Sequence, residues 1–340
     1  MIRHNPTVSP PRAPELAHDV LDLTPDDARA VGATARDLSR SFVGGSAPLS
    51  FTQVALAAHR LPTRIRAFLL DASSRSAQHG ITIRGNLVDH AALGPTPEHW
   101  SLGETSGSSV HSCVLLLYSA LLGHAFGWES QQSGRIVTDV VPSRGFENSL
   151  VSASSKLELG WHTEDAFSEF RADRVGLYCL RDAPDAATTV SYARRDQLSS
   201  DTVETLSQPR FVIRPDDAHQ DATVPPPPMA ALVEAVSDPL TLRVDRDFTT
   251  AAEGDSEAGA ALDELTSVLD VNLYDLPLVP GSLCFLDNRI VVHGRRSFSP
   301  RFDGTDRWLK RVNLTADLRR VGPGLRSSGS RVIAVASAAG

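Results

Sequence analysis

The stretch with the clearest potential for chemistry is His162-Thr163-Glu164, within an apolar and aromatic run from 157 to 167. In an extended strand, residues two positions apart project from the same face. The imidazole of His162 and the carboxylate of Glu164 can therefore reach one point. One more neutral imidazole would complete the two-histidine, one-carboxylate set that leaves Fe(II) with open coordination positions.

The candidate third ligand is His293, in the stretch DNRIVVHGR from 287 to 295. An Asp-Asn turn followed by an apolar strand would bring this imidazole to the end of a sheet. Isolated histidines and His-x-Glu patterns are common without a metal. Because 131 positions (293 − 162) separate His162 from His293, sequence alone leaves open whether they meet.

A candidate anion-binding residue, Arg307, follows His293 by fourteen positions (307 − 293) and precedes Trp308 at the start of a predicted strand. A guanidinium binds a carboxylate through two parallel hydrogen bonds at any physiological pH. This would suit an anionic cosubstrate beside a metal. Basic runs such as 295–311 are usually solvated, but aromatic residues interrupt this one, which favours partial burial.

The composition is that of a soluble globular protein. The 340 residues are 41% hydrophobic and 22% charged, with a formal net charge of −8, which predicts a large core and disfavours nucleic acid as a partner. The three cysteines are far apart in apolar sequence, typical of buried thiols in a reducing cytoplasm. Residues 1–20 have no signal-peptide pattern, and the apolar run Cys113–Phe126 is too short to span a bilayer. We therefore expect a cytoplasmic protein without a membrane partner.

The elements that position these residues fall into two parts. Thr24-Pro25-Asp26-Asp27 is typical of a helix start, and helices are predicted from there to Phe42 and over Phe51–His59, Pro62–Gln78, Cys113–Phe126 and Asp255–Asn272. Short apolar strands separated by turn residues indicate an antiparallel sandwich or barrel; they are Ile81–Gly85, Ile136–Val141, Val175–Leu180, Thr188–Tyr192, Phe211–Ile213, Leu240–Val244, Ser282–Leu286, Ile290–Val292 and Arg311–Leu314. We expect a flexible arm over 1–20, one domain over 21–325 with a proline-rich, lid-like loop at about 216–230, and a flexible tail over 326–340.

The motifs at 162–164, 293–296 (HGRR) and 307–311 (RWLKR) resemble those of Fe(II)/2-oxoglutarate-dependent oxygenases of the clavaminate synthase-like group. Within this group the chain is most similar to arginine hydroxylases of peptide-antibiotic biosynthesis, of the viomycin type. The resemblance extends over nearly the whole chain beyond the first twenty residues. It implies an α+β fold with a mainly β core, a distorted double-stranded β-helix (jelly roll, cupin-like) with flanking N-terminal helices.

The resemblance also implies roles for individual residues. The iron ligands, and hence the catalytic residues, would be His162, Glu164 and His293. Arg307 would bind the distal carboxylate of 2-oxoglutarate together with one threonine of 188–189. Thr189 is favoured, since strand alternation lets only one of the two face inward.

For the amino-acid substrate, the resemblance implies contacts at both ends. Its α-amino and α-carboxylate groups would meet Gln131, Ser152, Arg311 and the free oxygen of Glu164. Its guanidinium would meet Asp245 and Asp247. Asp216 and Asp217, just before the proline-rich loop, could add a further carboxylate when that loop closes as a lid. Two carboxylates on one face suit a planar cation in a dry pocket, although an Asp-x-Asp is most often an exposed turn.

The function implied is hydroxylation of free L-arginine at C3, with C4 as a second position, in natural-product biosynthesis, using Fe(II), 2-oxoglutarate and O2. Four alternatives stay open. They are the same chemistry on enduracididine, asparagine or a lysine-like amino acid, desaturation, a catalytically silent amino-acid-binding protein, and a zinc-containing cupin-like protein. Residues 219–240 are shorter and richer in proline than in the viomycin-type enzymes, so the resemblance does not define the depth of the side-chain pocket.

Overall fold

The computed structural model describes residues 18–43, 50–75, 78–147, 153, 155–183, 185–216, 219, 228–234, 237–327 and 329–334. Within these ranges the chain forms sixteen strands and eight α-helices. The strands are β1 His18–Asp22, β2 Gly80–Arg84, β3 His124–Trp128, β4 Val137–Val140, β5 Leu159–His162, β6 Arg174–Arg181, β7 Thr188–Ser191, β8 Phe211–Ile213, β9 Val233–Glu234, β10 Thr241–Leu242, β11 Thr249–Ala251, β12 Tyr274–Leu276, β13 Leu283–Asp287, β14 Val292–Arg295, β15 Trp308–Thr315 and β16 Val332–Ile333. The helices are α1 Pro25–Val43, α2 Phe51–Ala58, α3 Thr63–Ser74, α4 His90–Leu93, α5 Ser106–Ser119, α6 Ser200–Leu206, α7 Ser256–Val271 and α8 Leu318–Val321.

Two sheets form the β core. The larger has the order β1-β2-β13-β6-β15-β3-β16, with β4 also paired to β15, and the smaller has the order β12-β7-β14-β5. From β5 to β7, and again from β12 to β15, successive strands alternate between the two sheets. A chain that alternates in this way winds twice around one core, as in a jelly roll. The predicted α+β fold with a double-stranded β-helix core is confirmed.

The N-terminal helices cover one side of the larger sheet. Leu115 and Leu117 of α5, Leu69 of α3 and Ile83 of β2 are fully buried in one apolar cluster. Burying each such side chain stabilises the fold by about 1.5–3 kcal/mol relative to leaving it exposed. These helices therefore fix the sheet from outside and leave its other face for the site.

Helix α1 begins where the sequence predicts. The backbone N–H of Asp27 donates to Thr24 Oγ1, and the N–H of Thr24 donates to Asp27 Oδ2, both at 3.1 Å. This reciprocal pair satisfies two N–H groups that a helix start would otherwise leave unbonded.

The predicted helix over Cys113–Phe126 is wrong at both ends. Helix α5 begins earlier, at a capping box between Thr105 and Ser108, and ends at Ser119. Residues 124–128 form β3, which pairs with β15. Before this strand, a Cβ at Gly123 would lie 2.7 Å from the carbonyl oxygen of Thr315, so the two segments approach too closely for a side chain. Pairing with β15 decides the structure here, because an apolar run alone does not separate helix from buried strand.

The structure also revises the predicted ends of the domain. His18–Val20, placed in the flexible arm, belong to β1 and pair in parallel with β2. Val332 and Ile333, placed in the flexible tail, pair with β3. Of the lid-like loop at 216–230, only Asp216, His219 and residues 228–230 are described.

None of the helices in the described ranges has the length and apolar character needed to cross a bilayer. The three cysteines are buried free thiols, as predicted.

Candidate metal centre and substrate cavity

Two neighbouring strands carry the two histidines. β5 and β14 are antiparallel, with His162 directly opposite His293. Opposed residues project from the same face, and the two ring centroids lie 4.6 Å apart. The close pairing explains Gly294, since a Cβ there would lie 2.5 Å from the carbonyl oxygen of Leu159. Strand pairing thus brings together the two histidines that the sequence could not connect.

Glu164 lies just beyond the end of β5, where Asn288 holds its main chain. The N–H of Glu164 donates to Asn288 Oδ1 at 2.7 Å, and Asn288 Nδ2 donates to the Glu164 carbonyl at 3.1 Å. Asn288 is buried in the turn between β13 and β14. The turn that leads to His293 therefore also fixes the carboxylate ligand.

The three donor groups converge on one point. Glu164 Oε2 lies 3.7 Å from His162 Nε2 and 3.3 Å from His293 Nε2. Donors bound to one metal at about 2.1 Å and at right angles lie about 3 Å apart. Glu164 Oε2 is buried and receives no hydrogen bond from the described residues. The donor set, its spacing and this unbonded oxygen fit a single divalent metal ion.

A main-chain contact orients one imidazole for this role. His162 Nδ1 lies 2.9 Å from the carbonyl oxygen of Gly160, so Nδ1 donates and Nε2 faces Glu164. Such a contact fixes both the tautomer and the ring plane of a metal-binding histidine.

The carboxylate of Glu164 has separate partners for its two oxygens. Oε2 faces the histidines, and Oε1 lies 2.6 Å from Arg311 Nη1. Burial opposes ionisation, but Arg311 and the two imidazoles hold the pKa of Glu164 well below its usual range. Glu164 is therefore ionised, as a metal ligand must be.

A small cavity of about 40 Å³ lies beside His293 and is lined by Arg307 and Thr188. Arg307 is buried, and its Nη2 donates to Thr188 Oγ1 at 2.7 Å. Burial lowers the pKa of Arg307 to about 10, so it stays cationic at neutral pH. Within the described ranges no carboxylate pairs with Arg307, and a buried cation of this kind suits an anionic ligand.

The threonine at this cavity is Thr188, whereas the sequence favoured Thr189. Thr189 sits opposite Gly294 of β14, and its Oγ1 would lie 3.0 Å from a Cβ on that glycine. Strand alternation does place only one threonine toward the cavity. Two adjacent threonines, however, carry no signal for which one it is.

A larger cavity of about 250 Å³ opens onto the same cluster, because it shares His162 and Arg311 with the small one. Pockets for drug-sized ligands measure about 300–1,000 Å³, so this one suits a single small molecule. Its charged and amide side chains are those of Gln131, His162, Glu164, Asp165, Arg214, Asp216, Asp245, Asp247, Arg311 and Gln132.

One end of this cavity is formed by Gln131 and Arg311. Arg311 Nη2 donates to Gln131 Oε1 at 3.1 Å. The adjacent Gln132 bonds both main-chain groups of Asp139, whose buried carboxylate lies 3.0 Å from Lys310 Nζ. The buried pair ties the Gln131 turn to the strand that carries Arg311. The structure thus brings together Gln131, Glu164 and Arg311, whereas Ser152 lies outside the described residues.

The other predicted substrate carboxylates, Asp245 and Asp247, line the cavity as well. The Oδ1 of Asp245 accepts from the amides of Asp247 and Phe248, at 2.9 and 3.1 Å, so the Asp-x-Asp is also a turn. Burial raises the pKa of Asp245. A Cβ at Gly160 would lie 2.7 Å from Asp247 Oδ2, so the glycine makes room for that carboxylate.

Asp216 is the third predicted substrate carboxylate on the wall, whereas Asp217 lies outside the described residues. The Asp216 side chain is 36% exposed and lines the cavity. Burial raises the pKa of Asp216 to about 6; Asp165 and Glu164 add to the rise, and His219 opposes it. Asp216, Asp245 and Asp247 together give the cavity an acidic region.

Comparison with known proteins identifies the family. The sequence model of the "Taurine catabolism dioxygenase TauD, TfdA family" matches residues 118–313, which include His162, Glu164, His293 and Arg307. The chain belongs to this family.

Several relatives are similar over almost their full length. The enduracididine beta-hydroxylase of Streptomyces hygroscopicus is 35% identical over 92% of this chain and 99% of its own. The L-ornithine/L-arginine 3-hydroxylase of Catenulispora acidiphila is 34% identical over 88% of this chain and 95% of its own. Crystal structures of the non-heme iron oxygenase OrfP match with a TM-score of 0.85 over 92% of this chain and 99% of that one. One is in complex with Fe and alpha-ketoglutaric acid, at 35% identity, and another with Fe, succinate and (3S)-hydroxy-L-Arg, at 33%.

As a member of the TauD/TfdA family, the protein is an Fe(II)/2-oxoglutarate-dependent oxygenase. The His162–Glu164–His293 cluster is the group of His, Cys, Asp and Glu side chains in the described ranges whose geometry suits a metal, with ligand atoms within 4.8 Å of one another. Iron and 2-oxoglutarate as cofactors, predicted from the sequence, are confirmed.

Sequence reasoning missed three side chains at this oxygenase site. Asn288 appeared only as part of a turn, and Asp165 and His219 had no assigned role. Asp165 has a left-handed φ of 55°, unusual for a non-glycine residue. Its carboxylate accepts from Trp128 Nε1 at 2.6 Å and from Asn313 Nδ2 at 2.9 Å. The sequence signal for Asp165 was its position directly after a ligand; Asn288 and His219 had none.

Proposed function

We propose that this oxygenase hydroxylates free L-arginine, with C3 as the main position and C4 as a second one. The observation that carries the proposal is the distribution of charge in the larger cavity. Arg311 and Gln131 lie beside the metal ligand Glu164. Four further carboxylates line the same cavity, and three of them, those of Asp216, Asp245 and Asp247, form its acidic region. A free amino acid with a cationic side chain is complementary to both regions.

Each end of the substrate has proposed partners. Arg311 and Gln131 would bind the α-carboxylate, and Glu164 the α-amino group once Arg311 turns toward the carboxylate. Asp245, Asp247 and Asp216 would bind the guanidinium. Gripping both ends fixes which methylene faces the metal.

The position of Arg311 favours C3. Arg311 contacts one oxygen of Glu164, while the other oxygen faces the histidines. The amino-acid head group bound by Arg311 would therefore lie close to the metal. The methylene next to Cα is then nearest to it, and the guanidinium lies farthest away.

For the cosubstrate, Arg307 and Thr188 would hold the distal carboxylate of 2-oxoglutarate in the small cavity. When bound, iron and 2-oxoglutarate supply the oxidising chemistry, in which O2 oxidises 2-oxoglutarate to succinate and CO2 and hydroxylates the amino acid. The chain itself binds, orients and shields the reactants.

A panel of free amino acids tests the proposal. Purified enzyme with Fe(II), 2-oxoglutarate and air is incubated separately with arginine, enduracididine, ornithine, lysine and asparagine, and products are identified by mass spectrometry. Arginine should gain one oxygen with equimolar succinate. Hydroxylation of lysine or asparagine but not arginine would refute the side-chain assignment, and loss of two hydrogens would indicate desaturation.

Enduracididine is the second candidate, because a relative 35% identical over 92% of the chain bears the name of an enduracididine hydroxylase. It is a cyclic arginine derivative, so the acidic region would suit both. A higher kcat/KM for enduracididine than for arginine in the same panel would favour it.

A further inference from the structure

His219 is a buried side chain at the active site that the proposed chemistry does not use. Its ring is 3% exposed and packs against Trp128 and Phe167, with centroids 5.2 and 4.8 Å away. Both ring nitrogens have partners. Nδ1 lies 2.7 Å from Ser130 Oγ, and Nε2 lies 3.2 Å from Asp165 Oδ1.

His219 contacts Gln131 at the end of the cavity that Gln131 and Arg311 form. Its Nε2 lies 2.9 Å from Gln131 Nε2. Gln131 Oε1 accepts from Arg311, which fixes the orientation of the amide, and its Nε2 donates to Asp165 Oδ1 at 3.3 Å. Asp165 thus joins the ring of His219 to the amide of Gln131. Displacing His219 would remove its contact with the Gln131 amide and leave that amide with its 3.3 Å bond to Asp165 and its bond to Arg311.

His219 also contacts Asp216 in the acidic region of the cavity. The backbone N–H of His219 donates to the carbonyl of Asp216 at 3.0 Å. The Asp216 carboxylate lines the cavity, with Oδ1 4.0 Å from His219 Nε2. The anchored His219 is therefore bonded through its own backbone to Asp216, which presents a carboxylate to the cavity.

Asp165, which anchors the ring of His219, is itself held rigidly, and its hydrogen bond to His219 is charge-assisted. Asp165 is also bonded by Trp128 of β3 and Asn313 of β15, both in the larger sheet. Burial disfavours a charged imidazole, but Asp165 outweighs it and raises the pKa of His219. Hydrogen bonds between charged partners are the stronger class in a protein interior.

We infer that His219 is a positioning residue for the amino-acid substrate, which holds Gln131 at one end of the cavity and Asp216 at the other. The inference rests on the proposed function, in that both residues face the amino acid. His219 lines neither cavity and is not among the metal ligands. Its replacement should affect the amino acid and spare iron and 2-oxoglutarate.

The test uses His219→Phe, which keeps a ring between Trp128 and Phe167 but removes both nitrogen contacts, and His219→Gln, which keeps one polar contact. The matched control is His111→Phe. His111 is also buried and edge-on to a ring, that of Tyr178, with Nδ1 3.3 Å from the tyrosine hydroxyl. It lines neither cavity.

Binding of arginine to the iron-loaded, 2-oxoglutarate-bound enzyme is measured by calorimetry without oxygen. His219→Phe should raise the Kd by about tenfold or more, the loss expected for one hydrogen bond to a charged group. It should also raise the ratio of succinate to hydroxylated product. Iron affinity and the KM for 2-oxoglutarate should stay within about twofold, as for distant sites. His219→Gln should recover part of the arginine affinity.

An arginine Kd and a succinate-to-product ratio equal to those of His111→Phe would overturn the inference. A parallel rise in the KM for 2-oxoglutarate would also overturn it, because general loosening of the site would then explain the effect. If His219→Phe does not fold, the arginine Kd of His219→Gln tests the inference. An unchanged Kd in that variant refutes the positioning role of His219. If wild-type enzyme prefers another amino acid, the proposed substrate fails, and the same comparison with that amino acid still tests His219.

Discussion

Replacing Asp245 with asparagine separates its charge from its structural role. One oxygen, Oδ1, accepts from two backbone amides and holds the 245–248 turn. The amide oxygen of asparagine can keep those bonds, so Asp245→Asn removes the negative charge while retaining the turn. Asp245→Ala would remove both, and a loss of activity in that variant would be ambiguous.

The expected rise in the KM for arginine follows from how far each carboxylate is shielded from solvent. A hydrogen bond to a charged group in a shielded site contributes about 1.5–3 kcal/mol, so Asp245→Asn should raise the KM for arginine by about 10- to 150-fold. Asp247 is exposed, and exposed ion pairs contribute little. The matched variant Asp247→Asn should therefore raise the KM by less than about fivefold.

The assay follows succinate and hydroxylated arginine together while arginine or 2-oxoglutarate is varied. In Asp245→Asn, the KM for 2-oxoglutarate should stay near that of wild type, since Arg307 and Thr188 lie in the other cavity. Succinate should still form without product. A KM for arginine that does not change, or that rises more in Asp247→Asn, would refute the guanidinium role of Asp245.

Two further outcomes follow from the site. Thr188→Val should raise the KM for 2-oxoglutarate by about fivefold, the value of one hydrogen bond, whereas Thr189→Val should leave it nearly unchanged; the reverse order would contradict the assignment of Thr188. Because the pKa of Asp216 is raised to about 6, its carboxylate loses its charge as the pH falls through that value, so arginine affinity measured by calorimetry should weaken between about pH 8 and about pH 5. Asp216→Asn should flatten that dependence, and an equally steep one in the variant would exclude Asp216 as its source.

Features encoded in local sequence were predictable. The Thr24–Asp27 capping pair and the proline at the first helical position locate the start of α1. Alternation of short strands and turns gave the β core, and the spacing from His293 to Arg307 pointed to an anion-binding group near a metal.

Features that depend on pairing between distant segments of the chain could not be predicted from the sequence. The register that sets His162 opposite His293 arises from a sheet whose strands are far apart in sequence. Residues 124–126 were predicted as helix because the partner that makes them a strand, β15, lies almost two hundred positions later. Which residues of β7 face inward likewise depends on the neighbouring strands. The sequence alone therefore did not distinguish Thr188 from Thr189.

Incorporation of oxygen from 18O2 tests directly whether the enzyme hydroxylates arginine at C3. Iron-loaded enzyme is incubated with L-arginine, 2-oxoglutarate and 18O2, and the product is examined by fragmentation mass spectrometry and NMR. We expect arginine carrying one 18O at C3, with one 18O in succinate. Unmodified arginine beside a different hydroxylated amino acid from the panel, or oxygen at a carbon remote from Cα, would contradict it.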